Sequence, residues 1–280
     1  MYKIEPLKRA WTKKFAQKYC GLNDPSSCDK SPCHCQLAAE LTAYLRTVIP
    51  HDTLSLTIHD LNGRGQDGEI LVDAKIILKA KQQLLEYCWK PSVTLDSIVA
   101  NMDIDLDNLS IMDQRYVEGR NIAVYASNMD IERRRFSQHG KTLIASIVMK
   151  EAIKRRVHNE RIENFNHSYA WVNYQNLKQL LISDDNAGQY CRMCDWLVVD
   201  DIIPEENVVV DTKGGKFIKS HTDPFFLDRH RNNKPTILTF KVNIDDTQWK
   251  LSMNDAFGIG ISKILNDRKT VKICLSQARI

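Results

Sequence analysis

From Gly119 to the end of the chain, short apolar runs alternate with longer stretches whose apolar residues recur at helical spacing, and this alternation narrows the choice of fold more than any other feature. The runs "NIAVYA" (121–126), "YAWVNY" (169–174), "DWLVVDDI" (195–202), "PTILTFKV" (235–242) and "TVKICL" (270–275) read as strands. Between the first two, "KTLIASIVMKEAIKRR" places apolar residues at 143, 144, 147, 148, 152 and 153, one face of a helix; "LKQLLIS" and the end of a helix at "FFLDRHRNN" follow later. Strands that are apolar along most of their length, separated by helices, predict a doubly wound parallel sheet with helices on both faces.

The earlier part of the chain has a different character. "QLAAELTAYLRT" (36–47) and "ILVDAKIILKAKQQLLEYCW" (70–89) carry helical periodicity, the second ending in an aromatic patch that core packing explains, and the glycine-rich "DLNGRGQDGE" (60–69) between them marks a turn or exposed linker. "NMDIDLDNLS" (101–110) is acidic but lacks the glycine and terminal glutamate of a calcium loop. Four of the eight cysteines, Cys20, Cys28, Cys33 and Cys35, crowd the first segment. In a reducing compartment such crowding points to metal rather than to disulfides: four thiolates complete a tetrahedral zinc site, with His34 as a substitute ligand, and the alternative is free structural cysteines. Cys191 and Cys194, a C-x-x-C ahead of an apolar strand with no second pair nearby, read as ordinary buried thiols. The expected division is a small, mainly helical cysteine-rich module over 1–60, a helical linker region over 61–115, and a catalytic-type domain over 116–280.

Nothing approaches the length of a membrane span, and the charged start "MYKIEPLKRAWTKKFAQKY" lacks the apolar core of a secretory signal, so the chain is expected to be cytoplasmic with no membrane partner. The net charge of +4 is too small to demand a polyanionic partner, but Arg133, Arg134 and Arg135 stand together, as do Lys154, Arg155 and Arg156; each cluster reads as a solvated face or as a contact to nucleic acid.

Chemistry concentrates at two places. Gly140, Lys141 and Thr142 lie between a strand and a helix, the setting in which backbone N–H groups at a helix start surround phosphates, a lysine reaches the outer ones and a Ser/Thr hydroxyl holds magnesium. Residues His139 to Leu143 are therefore the candidate nucleotide-binding stretch. The loop departs from the usual pattern: Arg135 stands where its first glycine is expected, and Ser127 to His139 form an insertion. The second place is "WLVVDDI", an apolar strand ending in paired carboxylates, which lets Asp200 approach magnesium while Asp201 polarises an attacking water.

With these elements the chain resembles the DnaC/IstB-like helicase loaders of the AAA+ ATPases, particularly divergent bacteriophage versions. The resemblance covers about 119–275 and rests on "EGRNIAVYA", "GKTLIASIVMKEAI", "WLVVDDI", "NNKPTILTFKVNID" and "FGIGISKIL". It implies an AAA+ P-loop NTPase fold, with ATP and Mg2+ as cofactors and Thr142 and Asp200 at the magnesium. The tract "KPTILT" corresponds to a strand ending on a polar residue that contacts the terminal phosphate; Asn243 is displaced from that place, which leaves Thr239 or Lys241. In "FGIGISKIL", Gly260 stands where an arginine is common and Lys263 replaces another, so the arginine presented to a neighbouring subunit's nucleotide is missing; Arg229 and Arg231 are substitutes, or surface charge.

The resemblance further implies an N-terminal module that binds a replicative DNA helicase, single-stranded DNA as a second partner, and a homo-oligomer or helicase-bound assembly, in the bacterial host cytoplasm for a phage-encoded chain. Arg133 to Arg135 would then lie over phosphates, face a partner subunit or touch single-stranded DNA. The expected activity is retained ATP binding with weak or partner-dependent hydrolysis. The alternatives are a silent AAA+ adaptor and an IstB-like transposition helper.

Overall fold

The computed structural model describes residues 44–64, 72–89, 120–126, 140–159, 168–183, 186–204, 213–242, 244 and 247–275. The zinc candidates Cys20, Cys28, Cys33 and Cys35, His139, the insertion with its three arginines, the acidic stretch 101–110 and Asn243 lie outside these residues. A short 3-10 turn, His51–Thr53, precedes helix α1 (Ala74–Cys88). Then come β1 (Ile122–Tyr125), α2 (Lys141–Asn159), β2 (Tyr169–Asn173), α3 (Tyr174–Ile182), α4 (Asn186–Met193), β3 (Trp196–Ile202), α5 (Lys213–Arg231), β4 (Thr236–Phe240), α6 (Thr247–Asn266) and β5 (Val271–Cys274).

The five strands form one parallel sheet in the order β2-β3-β4-β1-β5. All five lie where the sequence predicts them. Alternate residues of each strand point to opposite faces. Ile122, Val124, Val198, Ile237 and Ile273 enter a core shared with α1 and α2, whereas Ala123, Tyr125, Leu197, Val199, Leu238 and Phe240 enter a second core shared with α3, α4, α5 and α6. Helices thus cover both faces, as the alternation demands. The first core also takes in Tyr44, Leu45, Ile49, Ile58, Leu61 and Val72, so the described chain ahead of β1 packs directly against α2 and the sheet.

Local chemistry sets the helix starts. Asp73 accepts the Lys75 amide at 2.7 Å and caps α1, and Asn173 accepts the Gln175 amide at 3.0 Å and caps α3. On α2 the six residues of the predicted stripe, Leu143, Ile144, Ile147, Val148, Ala152 and Ile153, are all buried; full burial is worth about 1.5–3 kcal/mol for each of the larger side chains. Helix α6 is less regular. Gly258 takes the left-handed φ of +83° inside it, and Asp223 of α5 accepts the Gly260 amide at 2.9 Å two residues further on. Among the described residues no helix is long and apolar enough to cross a membrane.

Candidate functional site

β1 and α2 bracket the first half of the site. Gly140, immediately before α2, has φ +79°, a conformation that L side chains rarely adopt, and a Cβ built there would stand 2.6 Å from Leu61 Cδ1. Ile144 N donates to Gly140 O at 2.9 Å and opens the helical ladder, so the amides of Lys141, Thr142 and Leu143 are those whose acceptors lie outside the helix. The helix dipole adds its positive end at the same point. Lys141 is buried, and burial pulls its ammonium down to about 8, the nearby Lys241 adding to that shift while Asp201 and Asp200 oppose it.

β3 and β4 supply the second half. Leu197, Val198 and Val199 pair in register with Thr236, Ile237 and Leu238, and Ile202 next pairs with Phe240. Two residues of β3, Asp200 and Asp201, therefore stand opposite Thr239 alone, which is a β-bulge. Asp201 takes the left-handed φ of +63° that the bulge requires. A regular strand would send consecutive side chains to opposite faces. Here the turned backbone brings both carboxylates to the end of the sheet where Lys141 lies, close enough for each to act on its charge.

Hydrogen bonds tie the two halves together. Thr142 Oγ1 donates toward Asp200, 3.2 Å from Oδ2 and 3.4 Å from Oδ1. Thr239 Oγ1 donates to Asp200 Oδ1 and accepts the Asp201 amide at 2.9 Å, and that amide also lies 3.1 Å from Asp200 Oδ1. Burial raises the Asp200 carboxyl above its ordinary range; the Thr239 bond works against that, the Asp201 charge with it, and the Thr142 and Asp201 N–H bonds against it. Lys241, just past β4, pairs with Asp201 at 3.0 Å, and its own amide is fixed to Ile202 O at 2.8 Å.

The structure thus brings Lys141, Thr142, Asp200, Asp201, Thr239 and Lys241 to one place at the carboxyl ends of three adjacent strands. Leu143 differs: its side chain is buried in the core, so only its backbone amide is available to a ligand. Of the two candidates on β4, Thr239 has its hydroxyl committed to Asp200, while Lys241 is 42% exposed and ends in a charge. The oxygens of Thr142 and Asp200, hard donors side by side, fit a magnesium ion. Among the described residues no group of three or more His, Cys, Asp or Glu could hold a metal.

Two readings of the cations need correction. Arg229 is neither an arginine for a partner's nucleotide nor a surface charge: it is fully buried on α5 and donates to the carbonyls of Cys191, Cys194 and Pro235 at 2.8–2.9 Å and to Thr236 Oγ1 at 3.0 Å. It joins the end of α4 to the start of β4. Lys154, read with its neighbours as a solvated or nucleic-acid-binding cluster, is buried and pairs with Glu151 at 3.2 Å. Gly260 lacks an arginine for a packing reason, since a Cβ there would stand 2.8 Å from both Asp223 O and Phe226 Cβ. Arg231 and Lys263 are exposed.

Cys191 and Cys194 are buried thiols, as expected, and burial drives the Cys191 thiol up to about 12. Sequence reasoning missed Ser146 and Lys150, two polar side chains on the buried side of α2; their spacing from Thr142 at 4 and 8 residues, down one helix face, was the signal.

No protein-family model matches the chain, and no curated protein sequence does. Among solved structures it matches the crystal structure of the DnaC helicase loader, 15% identical over 69% of this chain and 95% of that one, with a TM-score of 0.40. It also matches the crystal structure of DnaI, 16% identical over 80% of this chain and 93% of that one, with a TM-score of 0.41. A third match is the replication initiator DnaA bound to AMPPCP and single-stranded DNA, 16% identical over 68% of this chain and 49% of that one, with a TM-score of 0.35. The DnaC loader bears the name of the family that the sequence resembles. The α/β P-loop NTPase fold itself rests on the strand order and on the meeting of Lys141, Thr142 and Asp200.

Proposed function

We propose that the chain is an ATP-binding helicase loader of DNA replication, which delivers a replicative helicase to single-stranded DNA in the cytoplasm. The observation that carries nucleotide binding is the convergence of a buried lysine, a helix start and a threonine hydroxyl on Asp200. The loading role draws on the sequence resemblance. In this reading the amides of the first turn of α2 and the Lys141 ammonium hold the phosphates, and Thr142 with Asp200 would hold magnesium. That ion supplies charge neutralisation to the phosphates when it is bound. Thr239 keeps the Asp200 carboxylate turned toward Thr142, and Asp201 is the group placed to accept the proton of an attacking water.

Two features support slow turnover. The Asp201 carboxylate is engaged by Lys241, and the packing around Gly260 excludes an arginine. The ion pair also favours a second reading, a silent adaptor that binds nucleotide without consuming it. Titration of the full chain with a fluorescent ATP analogue tests the shared part: saturable, magnesium-dependent binding that Lys141→Ala abolishes is expected, and a parent protein that binds no nucleotide removes both readings. Co-purification with a hexameric helicase then supports a loader or adaptor, phosphate release separates those two, and recovery of a transposase instead would point to a transposition helper.

A further inference from the structure

Helix α2 starts at the phosphate loop, and its buried side carries Ser146 and Lys150 at successive turns. Both reach the same stretch of chain. Ser146 Oγ donates to Thr53 O at 3.4 Å; Lys150 Nζ donates to Thr53 O at 3.1 Å, to Leu54 O at 3.4 Å and to Leu56 O. These carbonyls lie at and just beyond the end of the 3-10 turn His51–Thr53, where the Leu56 amide serves Thr53 O at 3.3 Å and Lys150 adds its ammonium to all three. Lysine is an expensive way to satisfy them. Burial, helped by Lys154 and opposed by Glu151 and Asp60, pulls this ammonium down to about 8, so its placement needs the carbonyl contacts to hold it.

The stretch that Lys150 grips is itself stiff. Asp60 Oδ2 accepts the Thr57 amide at 2.7 Å and the Thr57 hydroxyl at 2.9 Å, while Thr57 Oγ1 accepts the His59 amide at 3.3 Å. At its far end Gly63 O accepts the Val72 amide at 3.0 Å, which fastens it to the start of α1. Between these anchors Leu61 is buried, and its Cδ1 fills the space beside Gly140 into which a side chain would project.

We infer that residues 53–63 form a brace beside Gly140 at the start of α2, in which Lys150, by fixing the carbonyls of Thr53, Leu54 and Leu56, seats Leu61 against Gly140. Lys150 is then a positioning residue for nucleotide binding, acting through Leu61 with no contact of its own to the phosphates. The loop glycine holds a left-handed turn for which nothing in its own side chain provides support; the wall supplied by Leu61 limits where that turn can go. The inference about nucleotide affinity rests on the function proposed above. The one about loop rigidity does not.

The test uses the full chain with Lys150→Met, Leu61→Ala and the double variant. Hydrogen exchange without nucleotide reads the brace alone: amides over 140–146 exchange faster in both single variants, and parental exchange in both overturns the inference whether or not the protein binds ATP. Fluorescent ATP titration at a temperature where each variant is folded reads its consequence. Each single change weakens binding by about ten- to hundredfold, the scale on which a small misplacement is felt, and the double variant is no weaker than the worse single one, because both act through one contact. Parental affinity in variants whose melting temperature has fallen would mean that Lys150 only stabilises the fold. Should Lys150→Met not fold, Leu61→Ala, which leaves the carbonyl contacts intact, decides both readouts. Absence of binding by the parent sinks the proposed function and leaves the exchange result standing.

Discussion

Thr239 gives its hydroxyl proton to the Asp200 carboxylate across adjacent strands, and the same oxygen receives the amide of Asp201. One side chain thereby fixes both the direction of the buried carboxylate and the bulge that follows it. Thr239→Val keeps the shape and removes both bonds. Because the Asp201 amide keeps Asp200 Oδ1 and Asp200 keeps Thr142, stability should fall by about 0.5–1.5 kcal/mol for each bond lost, read as a lower denaturant midpoint. The magnesium concentration that half-saturates ATP binding should rise by about tenfold, the usual cost of losing a group that orients a metal ligand; an unchanged requirement would separate Thr239 from the site.

Lys141 gives the site a pH dependence whose sign is fixed. Its folded-state pKa, about 8, lies below the ordinary lysine value because burial penalises the charge. Below about 8 the ammonium is already charged in the free protein and meets the phosphates without change. Above it the free protein holds a neutral amine, and phosphates bound beside it restore the charge. ATP binding should therefore take up a proton at pH 9 and almost none at pH 6.5, with affinity falling as pH rises between them. Calorimetry in buffers of different ionisation enthalpy reads the proton directly.

Arg229 donates to four carbonyls, those of Cys191, Arg192, Cys194 and Pro235, and to a threonine hydroxyl inside the protein. Arg229→Met removes these bonds, leaving Pro235 O only the Leu197 amide and Cys191 O only the Cys194 thiol, and should cost about 1–3 kcal/mol of stability for each group left unsatisfied. ATP affinity, measured well below the melting temperature, should stay within about twofold of the parent, since additivity holds for distant sites. A loss of affinity or turnover without loss of stability would return Arg229 to the nucleotide.

Gly260→Arg restores the residue common at that place in the resembling family. The new Cβ would press on Asp223 O and Phe226 Cβ, both 2.8 Å away, one of them backbone. Overpacking of this kind costs about 1–3 kcal/mol. The substitution should lower the melting temperature and leave ATP turnover unraised; a gain in turnover with unchanged stability would show that α6 can yield.

The strands and α2 were legible because burial on both faces leaves a nearly continuous apolar signature, and a helix against the sheet leaves a stripe. The lysine loop and the acidic strand were legible because each keeps its chemistry within a few consecutive residues. What was not legible arises from pairing across the chain. Nothing local announces that β4 lies between β1 and β3, which is what puts Thr239 beside Asp200. Helix α4 was missed because "NAGQYCRM" is short and buries only Gly188 and Cys191, and α6 because glycines at 258 and 260, poor helix formers, weaken its helical signal. Arg229 and Lys150 were misjudged or overlooked for one reason: a cation looks like surface until the carbonyls it serves are brought to it from other elements.

The left-handed backbone at Asp201 bears on how this position can drift. Asparagine, aspartate and glycine tolerate that conformation, whereas β-branched and bulky residues do not. Variants that lose the carboxylate would still be confined to that small set at 201 by the shape of the bulge, and among them asparagine would be the cheapest replacement, preserving the turn while surrendering the charge.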